Sequence, residues 1–233
     1  MTTLVRSLYL TCHSPNQKWQ PSNGKHKKRA ARPFFVGFKK LISLTRKTFK
    51  RHEFDLVIRT KKEKDLDVDK FYVMAYYDSH DDSLGDTPIE VYVHHNLTGE
   101  ETFGDHQITN FLIEIYDAVV HEHKHQVQSK KRSYEEYTIH HRHPYDEYLS
   151  NSDEVDAYAL SIAIEMLRVM SKDRAKRYMG RISVMSKMRT GPVFAIPMLR
   201  AYFFQFGHGT LLKRLSKKVY KHLDSIDSRY VFK

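Results

Sequence analysis

His121, Glu122 and His125 stand in the order His-Glu-x-x-His inside the run ITNFLIEIYDAVVHEHKHQVQS, residues 108–129. Around them Ile108, Leu112, Ile115 and Val119 recur at steps of three and four, with Phe111 and Ala118 beside them. That period predicts an amphipathic helix. Side chains four apart on a helix lie one turn apart on one face. Two imidazoles so placed can converge on a single small cation. Zinc accepts histidine nitrogens at about 2.0–2.1 Å and prefers tetrahedral sites. Glu122, next to the first imidazole, can take a proton from a water that such a cation activates and return it to a leaving amine. The chain holds 15 histidines, so the alternative is a solvated, histidine-rich helix end without a metal. Two features favour the metal: the pattern falls on a predicted helix, and that helix is apolar enough to be buried.

A hydrolytic zinc site usually takes three protein ligands and keeps a position for water. Gln128 and Lys131 stand where the metzincin pattern needs a glycine and a histidine, so that extension is excluded. The favoured third ligand is Glu154, in the first turn of a second predicted helix, DEVDAYALSIAIEMLRVM, residues 153–170. Ser152 or Asp153 can cap that helix. Ala157 and Ala159 leave room for a neighbouring helix to approach. Asp156 is the nearest rival; alternatively it orients a ligating imidazole from behind, a contact that metal-bound histidines usually need. His140, His141 and His143, in the loop TIHHRHPY, are further rivals. Tyr145, Tyr148 or a loop histidine could donate to an oxyanion. His94 and His95 read as a polar strand end more readily than as ligands.

The chain around these groups is expected to be α+β. FDLVIRT, DKFYVMAYYD and TPIEVYVHHN are rich in β-branched and aromatic residues and predict strands. In the last of them Ile89, Val91 and Val93 alternate with Glu90, Tyr92 and His94. That strand is expected to lie along a cleft and to pair with an extended peptide by strand addition. SHDDSLGDT reads as a turn. The polar stretch KKRSYEEYTIHHRHPYDEYLSNSDE, with aromatics and no glycine, reads as an ordered functional loop. Residues 211–226 predict an amphipathic closing helix with Leu211, Leu212, Leu215, Val219, Tyr220 and Leu223 on its apolar side.

Composition narrows the chemistry. In 233 residues there is one cysteine, Cys12, which excludes an internal disulfide and a thiolate-rich metal site. Any zinc must therefore use histidine and carboxylate. The net charge of +11 points to an anionic partner such as nucleic acid. Much of it lies in residues 18–52, where Lys25, Lys27, Lys28, Arg29 and Arg32 form a run ended by Pro33. From Phe34 the pattern becomes amphipathic. It predicts either an arm that meets nucleic acid or another anionic surface, or a segment whose apolar face docks on the main domain. No stretch approaches the roughly 18 apolar residues of a membrane span. The first residues lack the apolar core and cleavage site of a secretory leader, so the chain is expected in the cytoplasm.

His-Glu-x-x-His on one helix, followed by Glu154-x-x-Ala157 opening a second, resembles the gluzincin group of zinc metallopeptidases. The preceding strands, the run YLSNSDEVDAYA and the closing FGHGTLLKRLSKKVYKHL are similar to small metallopeptidases of tailed bacteriophages. The resemblance covers about residues 70–226. It implies zinc held by His121, His125 and Glu154, with Glu122 as general base. It also implies a minimal zincin-like domain at 53–233: a small antiparallel or mixed sheet, the motif helix, a third-ligand helix and C-terminal helices. Residues 1–52, the basic arm, lie outside it. The expected setting is an infected host cell or a virion, and the expected partner a peptide or protein substrate. Two alternatives stand beside it. A SprT-like protease would take its third ligand from His140, His141 or His143. A virion or nucleic-acid-binding component would keep the zinc scaffold without hydrolysis.

Overall fold

A computed structural model of the chain describes residues 36–51, 55–67, 70–78, 86–97, 101–134, 145–182, 196–206 and 209–227. The described residues form seven helices and five strands, an α+β architecture. They divide into two compact units, one holding the described residues up to Tyr76 and Pro88–Ala118, the other Tyr77–Thr87 and the chain from Val119 onward. Among the described residues no helix is long and apolar enough to cross a membrane.

In the first unit β1 (Val36–Gly37) pairs antiparallel with β5 (Thr102–Phe103). A second, three-stranded sheet is built from β2 (Leu56–Lys62), β3 (Phe71–Tyr76) and β4 (Ile89–His95) in the order β2-β4-β3. It is mixed, with β4 parallel to β2 and antiparallel to β3. The alternation read from the sequence sets its two faces. Ile58, Ile89, Val91 and Val93 are buried, while Arg59, Tyr72, Met74 and Tyr76 are exposed. One expectation fails here. β4 was to accept a peptide by strand addition, but it is the central strand and both its edges are paired. Its backbone donors and acceptors are already used, so among the described residues the edge strands of this sheet are β2 and β3.

Helix α1 (Phe38–Arg51) packs on β1 and β2. Phe38, Leu41, Ile42 and Phe49 are buried, and Arg46 Nε donates to the carbonyl of Ile58 at 3.1 Å. The amphipathic half of the expected arm is thus a docked helix, its lysines facing out. Lys25, Lys27, Lys28, Arg29 and Arg32 lie outside the described residues.

Helix α2 (Asp105–Lys131) carries the motif and is longer at both ends than its apolar period. At its start Gln107 Oε1 reaches back to accept from the Gly104 N–H at 3.0 Å, as the third residue of a capping box does. At its end Ser133 and Tyr134 take φ of 55° and 61°, and the Tyr134 N–H returns to the Ser129 carbonyl. That left-handed turn stops the helix. Ile108, Phe111, Leu112 and Ile115 are fully buried.

Glu114 lies on the same stretch of α2. Burial, and then the charge of Asp117, push its carboxyl up from 4.5 to about 7. A raised acid pKa means the folded chain holds the extra proton between those values, so stability falls as pH rises through that window. Glu114→Gln mimics the protonated group. Its melting temperature should match wild type near pH 4 and exceed it at pH 8. The gain should be on the order of 1–2 kcal/mol once screening of a part-exposed group is allowed for. Parallel melting curves across pH 4–8 would remove Glu114 as the cause.

In the second unit α3 (Tyr145–Ser150) and α4 (Ser152–Val169) are followed by α5 (Lys172–Gly180), α6 (Pro197–Phe206) and α7 (Thr210–Ser225). The cap of α4 is Asn151, not Ser152 or Asp153: its Oδ1 accepts from the Asp153 N–H at 2.8 Å. Three successive residues could each have capped, and the one whose side chain points back at the free N–H does so. Val155, Ala157, Ala159, Ile162, Ala163, Met166 and Leu167 are buried, leaving Val169 exposed. Helix α7 lies against α4 and buries Leu212, Leu215, Val219 and Leu223.

Candidate metal centre

The motif half of α2 and the first turn of α4 belong to the same unit. The helical step turns the rings of His121 and His125 toward each other, with Nε2 atoms 3.3 Å apart. Glu154 meets both: Oε1 lies 3.3 Å from His125 Nε2, and Oε2 3.5 Å from His121 Nε2. The three donor groups fall within 4.8 Å of one another. Two nitrogens bound to zinc at about 2.0–2.1 Å and tetrahedral angles would be about 3.3–3.4 Å apart. The residues therefore fit a zinc ion in donor type and in spacing. A second observation agrees. Glu154 is 3 % exposed, and its Oε2 is buried without a well-directed hydrogen bond. A buried anionic oxygen whose nearest imidazole nitrogen is 3.5 Å away is held loosely, a costly arrangement that a cation between them would relieve.

The electrostatics follow from the packing. Burial would raise the Glu154 carboxyl, but hydrogen bonds to His121 and His125 outweigh it and hold the group down at about 2. Burial disfavours a charged His125, yet the adjoining Glu154 and then Glu122 carboxylates win and raise it. Glu122 is pushed up mainly by burial, with the two imidazoles opposing the shift. Its Oε2 accepts from the Tyr77 N–H at 3.0 Å. The Tyr148 phenol on α3 is also raised, first by burial and then by the neighbouring Glu154 carboxylate.

No family model, curated protein or solved structure matches the chain. The functional assignment therefore rests on these residues and their geometry.

Several expected residues fall elsewhere. Asp156 is not among the converging donors. Its carboxylate takes Lys124 Nζ at 2.8 Å, His222 Nε2 at 3.0 Å and Lys218 Nζ at 3.3 Å. Burial opposes its ionisation, but the bonds to His222 and Lys124 hold it well below the usual carboxylate range. The imidazole it binds belongs to α7 and is not a candidate ligand, so Asp156 ties α2, α4 and α7 together instead. His94 bonds Glu63 through Nδ1 at 2.9 Å and stacks on Tyr72. His95 Nδ1 accepts from the Leu97 N–H, with its ring against Phe38. Both are parts of the first unit's packing. Tyr145 opens α3, but its side chain, like His140, His141 and His143, lies outside the described residues.

Two residues near the three converging donors escaped the sequence. Tyr158, one turn beyond Glu154, sets its ring 4.5 Å from that of His121 and edge-on to Tyr202. The step of four from Glu154 was the available signal. Gln128, one turn beyond His125, was read only as a break in the metzincin pattern. It is buried and bonded on both sides.

Proposed function

We propose that this protein is a zinc-dependent metallopeptidase of the gluzincin kind. His121, His125 and Glu154 would hold the metal, and Glu122 would serve as general base. The observation that carries the proposal is the convergence of two motif imidazoles with a buried carboxylate from a second helix, beside Glu122 on the same helix. Bound zinc supplies a Lewis acid that polarises a peptide carbonyl and acidifies water.

The chain's own groups then divide the work. Glu122 receives the proton and passes it to the leaving amine. The Tyr77 N–H fixes one of its oxygens and so aims the other. Burial favours the protonated form of Glu122, which suits a base that must hold a proton until the amine departs. Tyr148, whose phenol stays protonated, is the candidate donor to the developing oxyanion. The order of elements, a mixed sheet, the motif helix and a third-ligand helix, is the order a minimal zincin-like domain would have. The convergence of Glu154 with the two imidazoles supports this assignment over a SprT-like one.

Zinc-loaded protein should cleave peptides from a mixed-sequence library. Phenanthroline should stop the cleavage, and stoichiometric zinc should restore it. Zinc-loaded, folded protein that cleaves nothing in such a library would count against a peptidase and leave a metal-binding scaffold.

A further inference from the structure

Gln128 touches a ligand with one end of its amide and the backbone beside another ligand with the other. Its Oε1 lies 3.0 Å from His125 Nδ1, and its Nε2 lies 3.0 Å from the carbonyl oxygen of Asp153. A backbone carbonyl can only accept, so the amide nitrogen must face Asp153. The amide oxygen then faces His125, and an amide oxygen can only accept. His125 Nδ1 must therefore carry the hydrogen. The reversed amide would set oxygen against oxygen at 3.0 Å and lose the bond to Asp153. At 8 % exposure, water has little room to replace it.

Two consequences meet at the site. With its hydrogen on Nδ1, neutral His125 presents an Nε2 lone pair toward His121 Nε2 and Glu154 Oε1. At the other end, Asp153 directly precedes Glu154. Its N–H is held by Asn151, its carboxylate by Arg132 and its carbonyl by Gln128. The first turn of α4 is thus held beside the motif helix at the residue before the third ligand.

We infer that Gln128 is a positioning residue of the metal centre: it sets the ligating nitrogen of His125 and holds the turn that presents Glu154. The inference rests on the metal site proposed above. The same helix carries its own control. Gln126 makes the same pair of contacts from His123 Nδ1, at 3.3 Å, to the carbonyl of Thr87, at 3.1 Å. His123 is not among the converging donors. Loss of Gln126 removes a comparable clamp without touching a ligand.

The test compares wild type with Gln128→Leu, Gln128→Glu and Gln126→Leu in the full chain. Zinc affinity is read by competition with a chelating dye, and the His125 Nδ1–H of the zinc-loaded protein by proton–nitrogen NMR. Loss of a group that supports a ligand from behind typically costs about 10–100-fold in affinity. Gln128→Leu should show such a loss, and the His125 Nδ1–H should exchange too fast to be seen. Gln128→Glu keeps an acceptor for that hydrogen. Its second oxygen faces the Asp153 carbonyl and cannot donate to it, so the variant should keep the protected resonance while losing affinity through the turn alone, which also covers the case in which the leucine variant does not fold. Gln126→Leu should change neither reading. Unchanged affinity in Gln128→Leu, or an equal loss in Gln126→Leu, would overturn the role of Gln128 alone. A wild-type chain that binds no zinc would overturn the metal centre and this role with it.

Discussion

Glu154→Ala should strip zinc from the protein while leaving it folded. Wild type purified without chelators should carry one zinc per chain by elemental analysis. Glu154 supplies the only negative charge among the three converging donors, at 3.3 Å and 3.5 Å from the two imidazoles. Without it the two Nε2 atoms still face each other, but no charge offsets that of a divalent cation. The loss should exceed the roughly 10–100-fold typical of groups that only support a ligand from behind. His121→Ala should lose the metal as well.

The fold should survive the Glu154 change for a stated reason. The start of α4 is fixed through Asn151, Gln128 and Arg132 at Asp153, and the body of α4 is apolar and buried. Circular dichroism on the metal-free protein checks this. Zinc kept by Glu154→Ala but lost on replacing His140, His141 or His143 would transfer the third ligand to that loop. No zinc in wild type would mean that the motif binds none.

The parts of this structure visible in the sequence are those set by local periodicity. The run of apolar residues at steps of three and four located α2, and its histidines followed automatically onto one face. Alternation in residues 89–94 located β4 and its buried side. The apolar density of residues 153–170 located α4. What escaped depends on contacts between distant residues. Nothing within β4 reveals that β2 and β3 pair on either side of it, because strand order is a non-local property. His94 sits at a position whose alternation reads polar, yet it is buried at 7 % exposure. Tyr72 on the neighbouring strand covers its ring and Glu63 takes its nitrogen, and neither is near it in sequence. Asp156 looked like a ligand's neighbour by its spacing from Glu154. The basic residues that claim it, Lys218 and His222, come from the last helix. Gln128 was within reach of sequence reasoning. A buried amide one turn after His125 is the residue type that can hold an imidazole hydrogen, but its burial and its second partner, the Asp153 carbonyl, come from the fold.

Glu122→Gln should keep the metal and abolish hydrolysis. Glutamine has the same length and still offers an oxygen to the Tyr77 N–H, so the side chain should stay where Glu122 lies. The three converging donors are untouched, and zinc content should equal that of wild type. What disappears is the ability to take up a proton. A well-placed general base contributes about 10²–10⁴ in rate. The loss should appear in kcat with little change in KM, since a group that acts only on the proton being transferred does not bind the ground state. The contrast with Glu154→Ala is then diagnostic. One variant is inactive because it holds no zinc, and the other is inactive with zinc in place. Two inactive variants with different metal contents would separate holding the metal from moving the proton. Near-normal cleavage by Glu122→Gln would mean that another group moves the proton. The half-buried carboxylate beside His121 would then have no part in the reaction.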